Sequence, residues 1–254
     1  MNLRIEEEKG VAVLTIDDPA RLNAMGATFW PELRGALTTL EADGTTRAVI
    51  ITGAGEKAFS AGGDIASFAA LTDVTSKRAF QQDCMRTFAA VEESPLPVIA
   101  AVNGYAMGGG CELTMACDIV VAADTAVFGM PETAVGLVPG FGVLRAPSVI
   151  GRHWTKLMMF TGERVDADTA LRIGLVQKVV PAADLMATAR GLAERIAAAA
   201  PLAVATGKNL VNARVERGEF DHSTAALTTL HATADAAEGI AAFVGKRPPV
   251  FEGR

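Results

Sequence analysis

Three consecutive glycines, Gly108 to Gly110, stand between the apolar run "PVIAAV" and the segment "GCELTMAC", whose apolar residues recur at helical spacing. They therefore lie at a junction where a buried strand must turn into a helix. Glycines there permit positive φ and let a ligand approach the backbone without meeting a Cβ. The first amides of a helix lack internal partners and sit at the positive end of its dipole, so they are ready donors to an oxygen bearing negative charge. Glu112 follows Gly109 by three residues, about one turn, which places its carboxylate on the face of the Gly109 amide. Taken alone, the segment reads equally as close packing of a helix on a sheet with an ordinary first-turn glutamate. It is neither a P-loop, for the Gly-Lys-Ser/Thr ending is missing, nor a G-x-G-x-x-G dinucleotide turn.

The same design recurs. "KAFSAGGDI" follows the strand-like "RAVIITG", passes through Ala61-Gly62-Gly63 and places Asp64 at a helix start, while "FGMPETAVGLVPG" puts Glu132 after Pro131 at another predicted helix N-terminus. Two donors from separate loops can clamp one carbonyl oxygen. Two carboxylates beside it can manage a water and the protons of the adjacent carbons.

Around these turns the first half alternates strands and helices. "LRIEEEKGVAVLTIDD" reads as two strands about the Lys9-Gly10 turn, and helices are expected near 28 to 42 and 76 to 93. From about residue 182 the pattern is helical only, through "ADLMATARGLAERIAAAA", residues 201 to 217 and residues 221 to 238; this tail is expected to pack on the core or on another subunit. A net charge of -6 without a dense Lys/Arg cluster makes nucleic acid and an anionic membrane surface poor partners. Three cysteines in apolar contexts disfavour a disulfide framework, and the acidic "MNLRIEEEKG" carries no basic-then-apolar signal, so a cytoplasmic location is expected.

The segments "KAFSAGGDI", "AVNGYAMGGGCELTMACDIVVAAD" and "FGMPETAVGLVPG", in this order and spacing, closely resemble the crotonase (enoyl-CoA hydratase/isomerase) superfamily, and the resemblance runs from "LTIDDPARLNAM" to "EGIAAFVGKRPPVFEGR". It implies an α/β fold: a β-β-α spiral core with the acyl-CoA site over residues 1–181, and a helical C-terminal trimerisation region over 182–254 that builds homotrimers or hexamers. It implies an acyl-CoA thioester as substrate, coenzyme A being part of the substrate, with no separate cofactor and no metal. Carried over by position, the amides of Ala61 and Gly109 look like an oxyanion hole, and Glu112 and Glu132 look like the catalytic pair of members that add water across a 2-enoyl-CoA. Ala24, Gly62, Gly63, Asp64, Gly140, Phe243 and Lys246 would contact the substrate, Phe243 near the pantetheine or acyl channel and Lys246 near the adenine end. Double-bond isomerisation, another crotonase-type lyase or hydratase reaction on an unusual acyl group, and a non-catalytic acyl-CoA-binding oligomer are the alternatives.

Several residues admit two readings. Cys111 adjoins the glycine turn, but His153, His222 and His231 have no visible link to it and lack metal-ligand spacing, so buried packing is favoured over a nucleophile or a zinc site. Asp64 reads as a helix-start acid rather than a catalyst. Met107 and Met130 are candidates for an acyl pocket, while Met158 and Met159 read as core. Val143-Leu144-Arg145 replaces a Gly-Gly-Thr-Gln-type run common in the family and resembles a variant found in members that hydrate unusual acyl groups. Arg145 is then either a contact for a polar acyl tail or, as favoured, half of a structural salt bridge.

Overall fold

Strands β1 (Leu3–Glu8) and β2 (Val11–Ile16) pair antiparallel around Lys9 and Gly10, whose φ values of 51° and 76° are those of a two-residue turn that follows the natural strand twist. The computed structural model describes residues 3–212, 224, 225, 228, 229 and 231–250. β2 opens a parallel series with β3 (Ala48–Gly53), β5 (Val98–Val102), β7 (Ile119–Ala123) and β10 (Lys178–Val180), giving the order β1-β2-β3-β5-β7-β10. β2, β3 and β5 are buried along their whole length because both faces of the sheet are covered. Leu14, Ile51 and Ala100 face α1 (Phe29–Asp43) and α3 (Val74–Glu93). Val13, Ile50, Ile99 and Val121 receive Leu185, Ala189 and Ala193 of α8 (Leu185–Ala197), so this first helix of the tail packs on the core. Each large apolar side chain buried in this way contributes about 1.5–3 kcal/mol.

A second sheet is built from short strands: β4 (Ala58–Ser60), β6 (Tyr105–Met107) and β8 (Val127–Gly129), mutually parallel, with β9 (Val165–Asp166) antiparallel at the edge. The chain thus repeats one unit three times: a long strand in the large sheet, a short strand in the small one, then a turn into a helix. β3 and β4 lead to α2 (Ile65–Ala69), β5 and β6 to α4 (Gly109–Ala116), and β7 and β8 to a 3-10 turn at Glu132–Val135. This is the expected β-β-α spiral. It carries the three turns singled out in the sequence to the same edge of the small sheet.

The chain continues through α5 (Gly142–Val149), α6 (Gly151–Thr161) and α7 (Ala167–Arg172), and beyond β10 every regular element among the described residues is helical. α9 (Pro201–Asn212) is pinned to the core by Lys208, whose Nζ donates to Asp118 Oδ2 at 2.8 Å. Parts of the helices predicted over 201–217 and 221–238 lie outside the described residues. α10 (Ala234–Val244) rests on the 3-10 turn at Glu132, with Gly239 so close that a Cβ there would stand 2.5 Å from the Val135 carbonyl carbon. No helix among the described residues is long and apolar enough to cross a membrane.

Candidate active site

The first turn is stitched to a neighbouring segment. Ala61 N donates to Leu22 O at 2.9 Å, Met25 N to Gly62 O at 2.8 Å and Asp64 N to Met25 O at 3.0 Å. This pairing corrects one expectation. The Ala61 amide is not a free donor, because Leu22 already accepts from it; the amide in this turn without a partner among the described residues is that of Gly63, two residues on. Gly62 allows the crossing with φ of 96°, and a Cβ there would meet Met107 O at 2.7 Å. Asp64 caps α2, accepting from Ala66 N at 3.1 Å and from Arg21 Nη1 at 3.1 Å, which makes it the helix-start acid expected rather than a catalyst.

The second turn supplies the other donor. Gly108 adopts φ of 52° and donates to Gly129 O at 2.9 Å, and Gly109 then begins α4 with its amide unpartnered by any described residue. The two free amides are close, since a Cβ on Gly109 would stand 3.6 Å from Gly63 N. One turn into α4, Glu112 is buried, and its Oε1 accepts from Phe141 N and Gly142 N at 2.7 Å each, at the N-terminus of α5. The third turn brings Glu132 opposite: a Cβ on Gly108 would lie 2.9 Å from Glu132 Oε1.

One cavity of about 230 Å³ joins these groups, lined by Gly63, Gly109, Glu112, Glu132, Gly140 and Phe243 among others. Ala61 and Gly62 line it too, but Ala24, Asp64 and Lys246 do not. The electrostatics separate the two carboxyls. Burial raises Glu112 to about 7, against the opposing pull of the two α5 amides. Burial and the neighbouring charge of Glu112 raise Glu132 well above the carboxylate range, and its Oε2 is enclosed with no hydrogen-bond partner among the described residues. Glu132 is therefore the carboxyl that keeps a proton while Glu112 ionises first.

The other candidates resolve as packing. Cys111 is fully buried, its thiol pushed up by burial and by both glutamates. His231 is buried, His153 is exposed, His222 lies outside the described residues, and no group of His, Cys, Asp and Glu with metal-holding geometry occurs among the described residues. Arg145 is buried and donates from Nε to Glu92 of α3 at 2.9 Å, so it is the structural half-bridge, bound away from any acyl tail. Met107 and Met130 do not line the cavity; the α3 side chains Gln81, Cys84, Met85 and Phe88 do, together with Trp30 and Phe68. Their helical spacing signalled a buried face but not what it faced.

A cavity with two inward amides beside two carboxyls, one readily ionised and one holding its proton, is that of an enzyme that stabilises an oxyanion and moves protons next to it. The chain belongs to the enoyl-CoA hydratase/isomerase family, whose pattern it matches over residues 6–254. It is 40% identical over 251 residues, 97% of this chain and 95% of the relative, to a short-chain-enoyl-CoA hydratase of Clostridium acetobutylicum. It is 38% identical, over 98% of this chain and 97% of the relative, to a crotonyl-CoA hydratase of Syntrophomonas wolfei. Among solved structures, an enoyl-CoA hydratase/isomerase of Pseudoalteromonas atlantica superposes with a TM-score of 0.89 at 32% identity, covering 99% of this chain and all of the other.

Proposed function

We propose that the protein hydrates 2-enoyl-CoA thioesters reversibly, adding water across C2=C3 to give the 3-hydroxyacyl-CoA. The observation that carries this reading is the meeting of Glu112 and Glu132 with the free amides of Gly63 and Gly109 in one cavity. A thioester oxygen held by the two amides draws electron density from the conjugated alkene, so C3 becomes electrophilic and negative charge develops toward the oxygen and C2. Glu112, ionised and fixed through Oε1, has its other oxygen available to take a proton from water as it attacks C3. Glu132, protonated, delivers its proton to C2. The two exchange protons as a coupled pair, and water elimination reverses both steps. The chemistry calls for no cofactor beyond the coenzyme A of the substrate.

Gly62, Gly140 and Phe243 would complete the substrate contacts from the cavity wall, with Ala24, Asp64 and Lys246 serving the coenzyme outside it. Exposed Leu202, Leu210 and Val211 on α9 support self-association, as a homotrimer or a pair of trimers. The test is incubation with crotonyl-CoA, followed by loss of the conjugated enoyl absorbance and by product mass. A gain of one water supports hydration; an isomer of unchanged mass, or no reaction, removes it.

A further inference from the structure

Apart from the two glutamates, Gln81 carries the only carboxamide or charged side chain on the cavity wall among the described residues, and it is only 5% exposed. It shares one face of α3 with Cys84, Met85 and Phe88, three, four and seven residues further along. Phe88 packs on Phe141 at 5.0 Å between ring centroids, and the Phe141 amide holds Glu112. Gln81 stands two turns earlier, about 10 Å along the helix axis, and so faces the part of the cavity away from the carboxyls.

A buried carboxamide is costly unless both of its ends are bonded. The nitrogen end of Gln81 is fixed, for Nε2 donates to His231 Nε2 at 3.0 Å. An amide NH2 can only donate, so that ring nitrogen is bare and the imidazole neutral. Burial and the charge of Lys77 agree, lowering His231 to about 4. His231 is itself held in place: Phe68 meets it edge-on at 5.6 Å, and Lys77 Nζ donates to its carbonyl at 2.6 Å. The oxygen end of Gln81 has no partner among the described residues, yet it is not enclosed, which leaves Oε1 facing the cavity.

We propose that Gln81, oriented by His231, is a specificity-determining residue whose Oε1 accepts a hydrogen bond from a donor on the acyl tail. The preferred substrates are then 2-enoyl-CoA esters with a hydroxyl or amide N–H along the tail, over plain alkyl esters of equal length. This rests on the hydratase reading of the same site. An alkyl tail that reaches Gln81 strips water from Oε1 and gives nothing back, whereas a tail with a donor replaces the lost bond. Arg145 cannot play this part, for it does not line the cavity and a guanidinium has no acceptor to offer.

The experiment compares matched 2-enoyl-CoA esters of four to eight carbons, with and without a terminal hydroxyl, in the wild type, Gln81→Leu, Gln81→Met and His231→Phe. In at least one pair the wild type should favour the hydroxylated ester in kcat/KM by about tenfold or more. That ratio should collapse toward one in both Gln81 variants and fall partway in His231→Phe, where the amide remains but is no longer held. A purely structural role would instead lower both members of a pair alike. Calorimetric binding of the matched saturated esters reads the same preference without turnover, and Gln81→Met serves if the leucine variant does not fold. Equal ratios in the wild type and the Gln81 variants, in rate and in binding, overturn the proposal. If the wild type hydrates none of the esters while its binding preference still depends on Gln81, the hydratase reading falls and the specificity assignment stands.

Discussion

At the scale of single residues, the site depends on how few donors each reacting group is given. Glu112 has two amides on one oxygen and ionises; Glu132 has an enclosed oxygen with none and stays protonated. Glu112→Gln and Glu132→Gln should each lower turnover on crotonyl-CoA by at least ~10²-fold, with acyl-CoA affinity largely kept. The pH profile follows from the signs. A base raised to about 7 must lose its proton to act, so kcat/KM falls as pH drops through that region; an acid raised further must keep its proton, so activity falls again on the alkaline side. Because the charge of Glu112 is one cause of the rise at Glu132, the residual activity of Glu112→Gln should show its alkaline limb at lower pH than the wild type. An alkaline limb that stays in place would separate the two carboxyls. Proline at Gly109 removes one donor and crowds the other: Gly109 is the first residue of α4, where proline is tolerated, and an added Cβ meets the mobile end of Met25 at 3.1 Å and stands 3.6 Å from Gly63 N. Gly109→Pro should cost about 3 kcal/mol of transition-state stabilisation, read from kcat/KM, while the melting curve shows a folded protein.

Among the elements, α3 and α5 matter because the N-terminus of α5 holds Glu112 and α3 forms the cavity wall, and Arg145 with Glu92 ties the two together. Glu92 is already raised, burial outweighing the charge of Arg145. Arg145→Met leaves that largely buried carboxylate without its ion-pair partner, with an expected loss of about 3 kcal/mol at pH 8. A carboxyl whose folded pKa lies above its unfolded value binds its proton more tightly in the native state, so native stability falls as pH rises between the two. Removing Arg145 widens that gap, so the loss should be smaller at pH 5 than at pH 8, and Glu92→Gln added to Arg145→Met should recover part of it; thermal melts at the two pH values check both. This pair was legible as a choice between two readings, because an arginine in an apolar run must find a partner. The oxyanion turn was less legible. Glycines and a helix start marked the right segment, but which amide stays free is decided by Leu22 and Met25, some forty positions away in a segment with no strand signal of its own, and the choice fell on Ala61 instead of Gly63. The cavity wall was missed for a similar reason, since helical spacing reports that Cys84, Met85 and Phe88 are buried but not that an empty space lies in front of them.

For the whole molecule, the spiral explains why three turns far apart in sequence meet, and the tail then closes over them. α10 packs on the 3-10 turn that carries Glu132, with Gly239 against Val135 and Ala236 against Gly136, and it sends Ile240 and Phe243 to the cavity wall. Just beyond it, Arg247 is tied to Glu238 at 2.6 Å while Lys246 is exposed and makes no ion pair with any described residue. A chain of net charge -6 needs local cations for the phosphates of coenzyme A, and Lys246 is the one we propose. Deleting residues 239–254 should therefore raise KM for acyl-CoA by removing Phe243 and Lys246, and should also lower kcat, because the turn beneath Glu132 loses its cover. Lys246→Ala alone should weaken binding modestly, more at low salt than at high salt, with kcat unmoved. If the tail also joins subunits, light scattering of the truncated chain will give a mass below that of the intact protein. A full-sized assembly with raised KM and lowered kcat would assign the tail to the ligand and the Glu132 turn and leave self-association to the exposed apolar residues of α9, where Leu210→Glu should then lower the mass. An unchanged mass with unchanged KM and kcat would show that the tail serves neither the site nor the assembly.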